Sequence, residues 1–159
     1  MAAPATTVRT SPPDGIVLFD GFKTLIAFAL DVDISFWEKT VQPPGLDGGD
    51  AIDITTMHNT LYRTMFPRKL ITLTPMTTTV LYDPDVYDEI IAIMNTNGSV
   101  TVKFPDTSTL DFFGYLRTFE PADMEEGTAP EASIEIVPTN YDSTNNVEAG
   151  PVMSEAAGT

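Results

Sequence analysis

The segment FWEKTVQPPGLDGGDAID, residues 36–53, restricts the possible folds of this chain more than any other part of the sequence. Residues 35–41 alternate with the two-residue period of a β-strand, and residues 51–56 resume that pattern. The prolines and glycines between them interrupt regular pairing, because proline lacks an N–H and glycine permits positive φ. The loop holds no nucleophile, thiol or imidazole, which favours a surface that contacts another subunit. The predicted contact residues are Trp37, Gln42, Pro43, Pro44, Gly45, Leu46, Asp47, Gly48, Gly49 and Asp50.

Length and composition predict one compact domain. A chain of 159 residues can bury roughly 70% of its unfolded surface, so a substantial core is expected. Cysteine is absent, which excludes disulfides and thiolate chemistry. No apolar run approaches the roughly 20 residues that span a bilayer, and no export signal is evident, so we expect a cytoplasmic product without a membrane segment.

The charge distribution argues against a nucleic-acid-binding protein. The chain has 23 acidic and 8 basic residues and a net charge of −15. Nine of the acidic residues and none of the basic ones follow residue 119, so acidity is concentrated near the end of the sequence. Binding to phosphates needs clustered Lys and Arg, whereas an acidic protein can let nucleic acid pass without holding it.

Hydrophobic patterning predicts a mainly β fold with loose ends. Residues 1–15 are predicted to be an N-terminal arm, 16–138 the folded domain and 139–159 an acidic C-terminal tail. Both terminal segments are predicted to be disordered in the monomer and ordered on neighbouring subunits. Residues 25–30 fit a buried strand or a short helical turn. The other predicted strands cover residues 35–41, 51–56, 69–74, 77–82, 100–104, 110–119 and 132–136.

One helix is predicted from Asp83 to about Asn95. Asp83 is a favourable N-cap, and Pro84 occupies the first helical position, where its missing N–H costs nothing. Asn95 to Gly98 supplies the stop. An apolar stripe at helical spacing predicts that the helix packs on the sheet through Val86, Ile90, Ile93 and Met94.

Residues that could support catalysis are few. His58 is the only histidine, so neither a Ser-His-Asp triad nor a two-histidine metal site is expected, and His58 is predicted to be a turn residue. Asp47, Asp50 and Asp53 lack the spacing and closing glutamate of an EF-hand, and turn formation explains them better than calcium. We therefore expect no enzymatic activity, no cofactor and no metal.

Four segments in order resemble the major tail tube protein family of long-tailed bacteriophages, the siphovirus-type tubes related in fold to secretion-system tube proteins. They are EKTVQPPGLDGGDAIDITTMHN (38–59), LYDPDVYDEI (81–90), VTVKFPDTSTLDFFGYL (100–116) and ASIEIVPTN (132–140), within residues 21–140. Thr107 departs from the glycine that such sequences often carry in the hairpin turn. The resemblance implies an antiparallel β-sandwich or barrel with one flanking α-helix, a projecting loop and extended terminal arms.

The same resemblance implies a structural virion protein of the phage tail. Family members form stacked hexameric rings, assembled in the host cytoplasm, and the hollow tube conducts DNA through its lumen without specific binding. The implied partners are further copies of the chain and the tape measure, distal tail and tail terminator proteins.

Two alternatives stay open at this point. One is a tail-completion protein that forms a single ring, or a secretion-system tube protein of the same fold. The other is a small acidic β-domain that binds calcium.

Overall fold

The computed structural model describes residues 23–28 and 36–155, and strands dominate them. The mainly β class with one flanking α-helix is confirmed, and every pair of strands is antiparallel. The strands are β1 (Leu25–Phe28), β2 (Glu38–Gln42), β3 (Leu46–Asp47), β4 (Ile52–Asp53), β5 (Met65–Phe66), β6 (Thr72–Leu73), β7 (Met76–Leu81), β8 (Gly98–Lys103), β9 (Thr109–Pro121), β10 (Glu131–Pro138), β11 (Tyr141–Asp142), β12 (Val147–Glu148) and β13 (Val152–Ser154). A 3-10 turn (Pro84–Val86) leads into α1 (Tyr87–Ile93).

The main sheet has the strand order β1-β8-β9-β10-β7-β2, with β13 also paired to β9. The sheet curls into a half-barrel, so its edge strands β1 and β2 approach each other. The backbone N–H of Ile26 on β1 donates to Glu38 Oε1 on β2 at 2.8 Å. Three two-stranded ladders, β3-β6, β4-β5 and β11-β12, lie outside this sheet.

The core lies on one face of the curled sheet. Alternate residues of the central strands are buried, which is the pattern expected of a sheet with one solvated face. Phe28 and Phe36 pack edge to face with ring centroids 5.9 Å apart. The buried apolar residues are Ile26, Phe28, Phe36, Leu73, Met76, Val80, Ile90, Ile93, Val100, Val102, Phe112, Leu116, Ala132, Ile134 and Ile136.

The first turn of the predicted helix is the 3-10 turn at Pro84–Val86, and α1 itself begins later than predicted, at Tyr87. Asp83 Oδ1 accepts a hydrogen bond from the N–H of Asp85 at 3.0 Å, so Asp83 caps the 3-10 turn. The helix ends where Asn95 adopts a positive φ of 58° and donates its N–H to the Leu116 carbonyl oxygen on β9 at 3.1 Å. Ile90 and Ile93 are buried, and Val86 and Met94 are half-buried against the same core.

Residues 141–154 are more structured than their composition predicts. β11 and β12 form a short hairpin, and β13 pairs with the first part of β9 in the register Val152↔Asp111 to Ser154↔Thr109. These pairings give defined strands to residues that composition predicts to be mobile in the monomer. The proposed division of the chain at residues 138 and 139 stays a prediction. The predicted N-terminal arm, residues 1–15, lies outside the described residues.

Candidate assembly surface

A long hairpin, which we call the arm (residues 43–75), leaves the sheet between β2 and β7. Its two limbs stay antiparallel along their length, in the register Gln42↔Thr77, Leu46↔Leu73 and Ile52↔Phe66. Asp53 is eleven residue steps from Gln42, so this part of one limb can extend up to about 40 Å. The predicted loop at residues 43–50 is the first part of this arm, and β3 lies within it.

Side chains of the arm hold the Pro-Gly segment in a defined shape. Asp47 Oδ1 accepts from the N–H of Gly49 at 2.8 Å, and Gly49 has a φ of 75°, which favours glycine. Arg68 Nε of the opposite limb donates to the Asp50 carbonyl oxygen at 2.8 Å. A Cβ added at Gly49 would lie 2.9 Å from Arg68 Cδ, so the glycine also allows the limbs to approach.

The tip of the arm is organised around Asn59. Its Oδ1 accepts from the N–H of Thr56 at 2.9 Å, while its Nδ2 donates to Thr64 Oγ1 at 2.7 Å and to the Tyr62 carbonyl oxygen at 3.0 Å. His58 lies in this turn, as predicted, with its N–H directed at Thr56 Oγ1 at 3.3 Å. Polar side chains therefore shape the tip without burying any of it.

The arm exposes much more apolar surface than an isolated hairpin can stabilise. Every residue from 45 to 72 is exposed, and Met57 is fully accessible. An isolated two-stranded hairpin is marginal in water, and contiguous exposed apolar surface marks an interaction site. The exposed large apolar residues of the arm are Leu46, Ile52, Ile54, Met57, Leu61, Tyr62, Met65, Phe66, Leu70 and Ile71.

The charge of the arm tip differs in sign from that of the rest of the chain. Residues 54–71 contain Arg63, Arg68 and Lys69 and no Asp or Glu, although the chain carries −15 overall. Arg63 Nη1 lies 3.3 Å from Asp53 Oδ2 and remains exposed. Hydrogen bonds from Thr55, and to a smaller extent from Arg63, lower the pKa of Asp53, so this carboxylate stays ionised. Lys69 borders a shallow groove lined by Ile52, Phe66, Pro67, Arg68 and Leu70.

Trp37 does not join the other predicted contact residues. It precedes β2 at the end of that strand farthest from the arm, where its carbonyl oxygen accepts from the Leu81 N–H at 2.9 Å. Its side chain is 69% exposed and borders a groove between β1 and β2 that Leu25, Phe36 and Leu81 also line. The structure therefore separates Trp37 from Gln42–Asp50, with which the sequence grouped it.

The predicted contact residues do not include the second limb of the arm, residues 61–71, although a strand is predicted over 69–74. Its exposed apolar side chains join the surface only through pairing with residues 46–53. The signal available in the sequence was the density of large apolar residues in LYRTMFPRKLI, without the alternation of a half-buried strand.

Within the described residues, no group of three or more His, Cys, Asp or Glu side chains could hold a metal ion. Asp47 and Asp53 instead accept hydrogen bonds from the backbone N–H two residues further on, as in Asx turns. The described residues form no helix with the length and apolar character needed to cross a membrane.

Comparison with solved structures places the fold among components of tail-like particles. One chain from the virion of a native gene transfer agent particle matches with a TM-score of 0.61 at 10% identity, over 86% of this chain and 99% of that one. A chain from the tail of an empty gene transfer agent particle, determined with C6 symmetry, matches with a TM-score of 0.57 at 10% identity, over 88% and 100%. A chain from the baseplate of the anti-feeding prophage, a sixfold-symmetrised structure, matches with a TM-score of 0.56 at 7% identity, over 84% and 91%.

At these identities the similarity lies in the fold alone. No protein-family profile matches the sequence, and no curated protein matches it. The tail-like fold that the sequence resemblance implies is thus found in the structure.

Proposed function

We propose that this chain is a structural subunit of a phage-type tail that assembles into hexameric rings, which stack into a hollow tube for DNA. The arm is the observation that carries the proposal. Twenty-eight consecutive exposed residues, 45–72, with ten large apolar side chains among them, need a partner surface. The similar chains come from assembled particles, two of them determined with sixfold symmetry.

We assign the arm to the contact between stacked rings. A contact between two different surfaces of the same chain can repeat from one ring to the next without closing, and such a contact extends a filament. The partners in this proposal are further copies of the chain, with tape measure, distal tail and tail terminator proteins at the ends of the tube. The subunit has a structural and not a catalytic role in the virion.

Electron microscopy of the purified protein tests this function. We expect hollow tubes built from rings of constant spacing. A single ring that never stacks would instead favour a tail-completion or baseplate role, the alternative that the similarity to the anti-feeding prophage baseplate supports. Protein that remains monomeric at every concentration would contradict both.

A shortened arm gives the sharper test. Residues 48–71 can be replaced by Asn-Gly, because Asp47 and Thr72 are paired and a two-residue turn can close that pair. Every deleted residue is exposed, so the core is untouched and the variant should unfold at the wild-type temperature. We expect it to make no tubes.

The matched control shortens a different hairpin. Residues 143–146 can be replaced by the same Asn-Gly turn, since Asp142 and Val147 are paired. This variant should make tubes normally. Long tubes from the variant with the shortened arm would show that the arm is not the stacking element.

A further inference from the structure

The arm, whose tip (residues 54–71) is positively charged, and an acidic surface lie at opposite ends of one strand. The arm joins β7 at Met76, and residues 82–85 continue from the other end of β7 at Leu81. Five residue steps separate the two ends, which corresponds to about 16 Å. The sheet therefore has an arm end and an acidic end.

Two segments meet at the acidic end, which we define as residues 83–85 and 120–131. The Tyr82 N–H donates to the Pro130 carbonyl oxygen at 2.9 Å, and Leu81 is paired with Glu131, so the two segments lie side by side. Neither segment contains Lys or Arg. The acidic residues are Asp83, Asp85, Glu120, Asp123, Glu125, Glu126 and Glu131.

Neighbouring cations leave most of this charge unbalanced. Lys39 forms an ion pair with Glu131, and Arg117 pairs with Glu135 at 2.8 Å outside the acidic end. Two exposed apolar side chains accompany these carboxylates. Leu81 is paired with Glu131, and Met124 lies between Asp123 and Glu125 in the sequence. The acidic end thus combines apolar and acidic groups, while the arm tip combines apolar and basic groups.

We propose that the arm of one copy docks on the acidic end of the next copy, so that Lys69 meets the carboxylates of residues 120–126. This inference rests on the proposed tube and identifies the two surfaces that stack its rings. The opposite placement of the two surfaces repeats at every copy, so the contact is heterologous and propagates in one direction. Opposite charge fixes that direction, because two arm tips repel each other and two acidic ends repel each other.

Charge reversal tests the pairing. Lys69 is exposed and unpaired within the described part of the chain, so Lys69→Glu changes the arm without breaking an internal contact. Glu125→Lys/Glu126→Lys changes the acidic end at an exposed loop. We expect each variant to raise the critical concentration for tube growth at least about fivefold at 0.1 M NaCl, since every subunit of a ring loses the contact at once.

The combination Lys69→Glu/Glu125→Lys/Glu126→Lys restores opposite charges and should return the critical concentration to within about twofold of wild type. The matched controls are Lys103→Glu and Glu148→Lys/Glu155→Lys, which make the same charge changes at other exposed positions and should assemble like wild type. Wild-type tubes should also need more protein at 1 M NaCl, where the screening length falls from about 10 to about 3 Å.

The outcomes separate this inference from the proposed function. If the wild-type chain forms neither rings nor tubes, the proposed function fails. If wild-type tubes form and the reversed variants assemble equally well, or if the combined variant is not restored, the acidic end is not the receiving surface. The melting temperature of each variant serves as the control for folding. If it equals that of the wild type, a loss of tubes is not caused by a loss of folding.

Discussion

Glu38 ties the two edges of the curled sheet together. Its Oε1 accepts a hydrogen bond from the backbone N–H of Ile26 at 2.8 Å, although β1 and β2 stand at opposite ends of the strand order. An edge strand otherwise presents unpaired N–H groups that pair readily with other chains. The carboxylate thus satisfies one edge donor and holds the half-barrel curled.

Substitution of Glu38 should loosen β1. Glu38→Ala removes the acceptor and is expected to cost about 1 to 2 kcal/mol in the free energy of unfolding, because the N–H of Ile26 then lies partly buried without a partner. Glu38→Gln keeps an acceptor oxygen and should cost less. Chemical denaturation measures both, and amide exchange at Ile26 should accelerate in the alanine variant. Equal stability of the two variants would show that the hydrogen bond does not hold β1.

Truncation of Ile90 tests the packing of α1 on the sheet. Ile90 is 1% exposed, so Ile90→Ala should lower the free energy of unfolding by roughly 2 to 5 kcal/mol through the cavity that it leaves. Ile91 is 55% exposed and one position further along the same helix, which makes Ile91→Ala the matched control. A loss under about 1 kcal/mol for Ile90→Ala would contradict the assignment of this residue to the core.

Thr107 carries backbone strain in the β8–β9 turn. Its φ is 71°, a region that β-branched residues rarely adopt. Thr107→Gly should therefore stabilise the protein by about 0.5 to 1 kcal/mol, because relief of strain exceeds the added entropy of the unfolded chain. Thr109 lies in β9, where glycine is unfavourable, so Thr109→Gly should destabilise. No gain in melting temperature for Thr107→Gly would mean that the turn tolerates threonine.

The sequence identifies elements whose burial or capping leaves a local pattern. Alternation in β7 and β10 is a signal of this kind, and so is Asp83-Pro84 at the start of the 3-10 turn that leads into α1. The ladders of the arm have two residues per strand and no buried face beyond Leu73, so they leave no period to read. Their pairing depends on long-range register, which no local window contains.

The same reasoning explains the tail. Large apolar residues are scarce from residue 139 onward, so composition alone predicts a segment that is mobile unless a partner orders it. The open edge of β9 supplies the hydrogen bonds that order β13. The acidic end was likewise not predicted as a site, because its two segments are more than thirty residues apart in sequence and meet only through β7 and β10.

Amide exchange distinguishes the two views of the tail. With β13 paired to β9, residues 152–154 should already be protected in the monomer. Residues 143–146, in the exposed turn between β11 and β12, provide an internal reference that should exchange quickly. Residues 1–15, for which the sequence predicts an arm that neighbouring subunits order, should gain protection only in tubes. Full exchange of residues 152–154 in the monomer would favour the mobile tail that composition predicts.

The last prediction is that tubes do not bind DNA. Within the described residues, Lys39, Arg63 and Arg117 each pair with a carboxylate, and Arg68 donates to a backbone carbonyl oxygen, so few cations are free for phosphates. Because the chain carries a net charge of −15, duplex DNA should meet a weakly repulsive surface. Purified tubes should therefore not retard DNA, even at low ionic strength.

The location of the acidic residues decides what the repulsion does. If they lie only on the outer surface, their role is to keep tubes apart, and tubes should bundle as salt rises from 0.1 to 1 M. If they also line the lumen, DNA slides through without counterion release, because phosphates find no cations to replace their own. Retardation of DNA that weakens steeply with added salt would be the signature of bound phosphates and would contradict passage without binding.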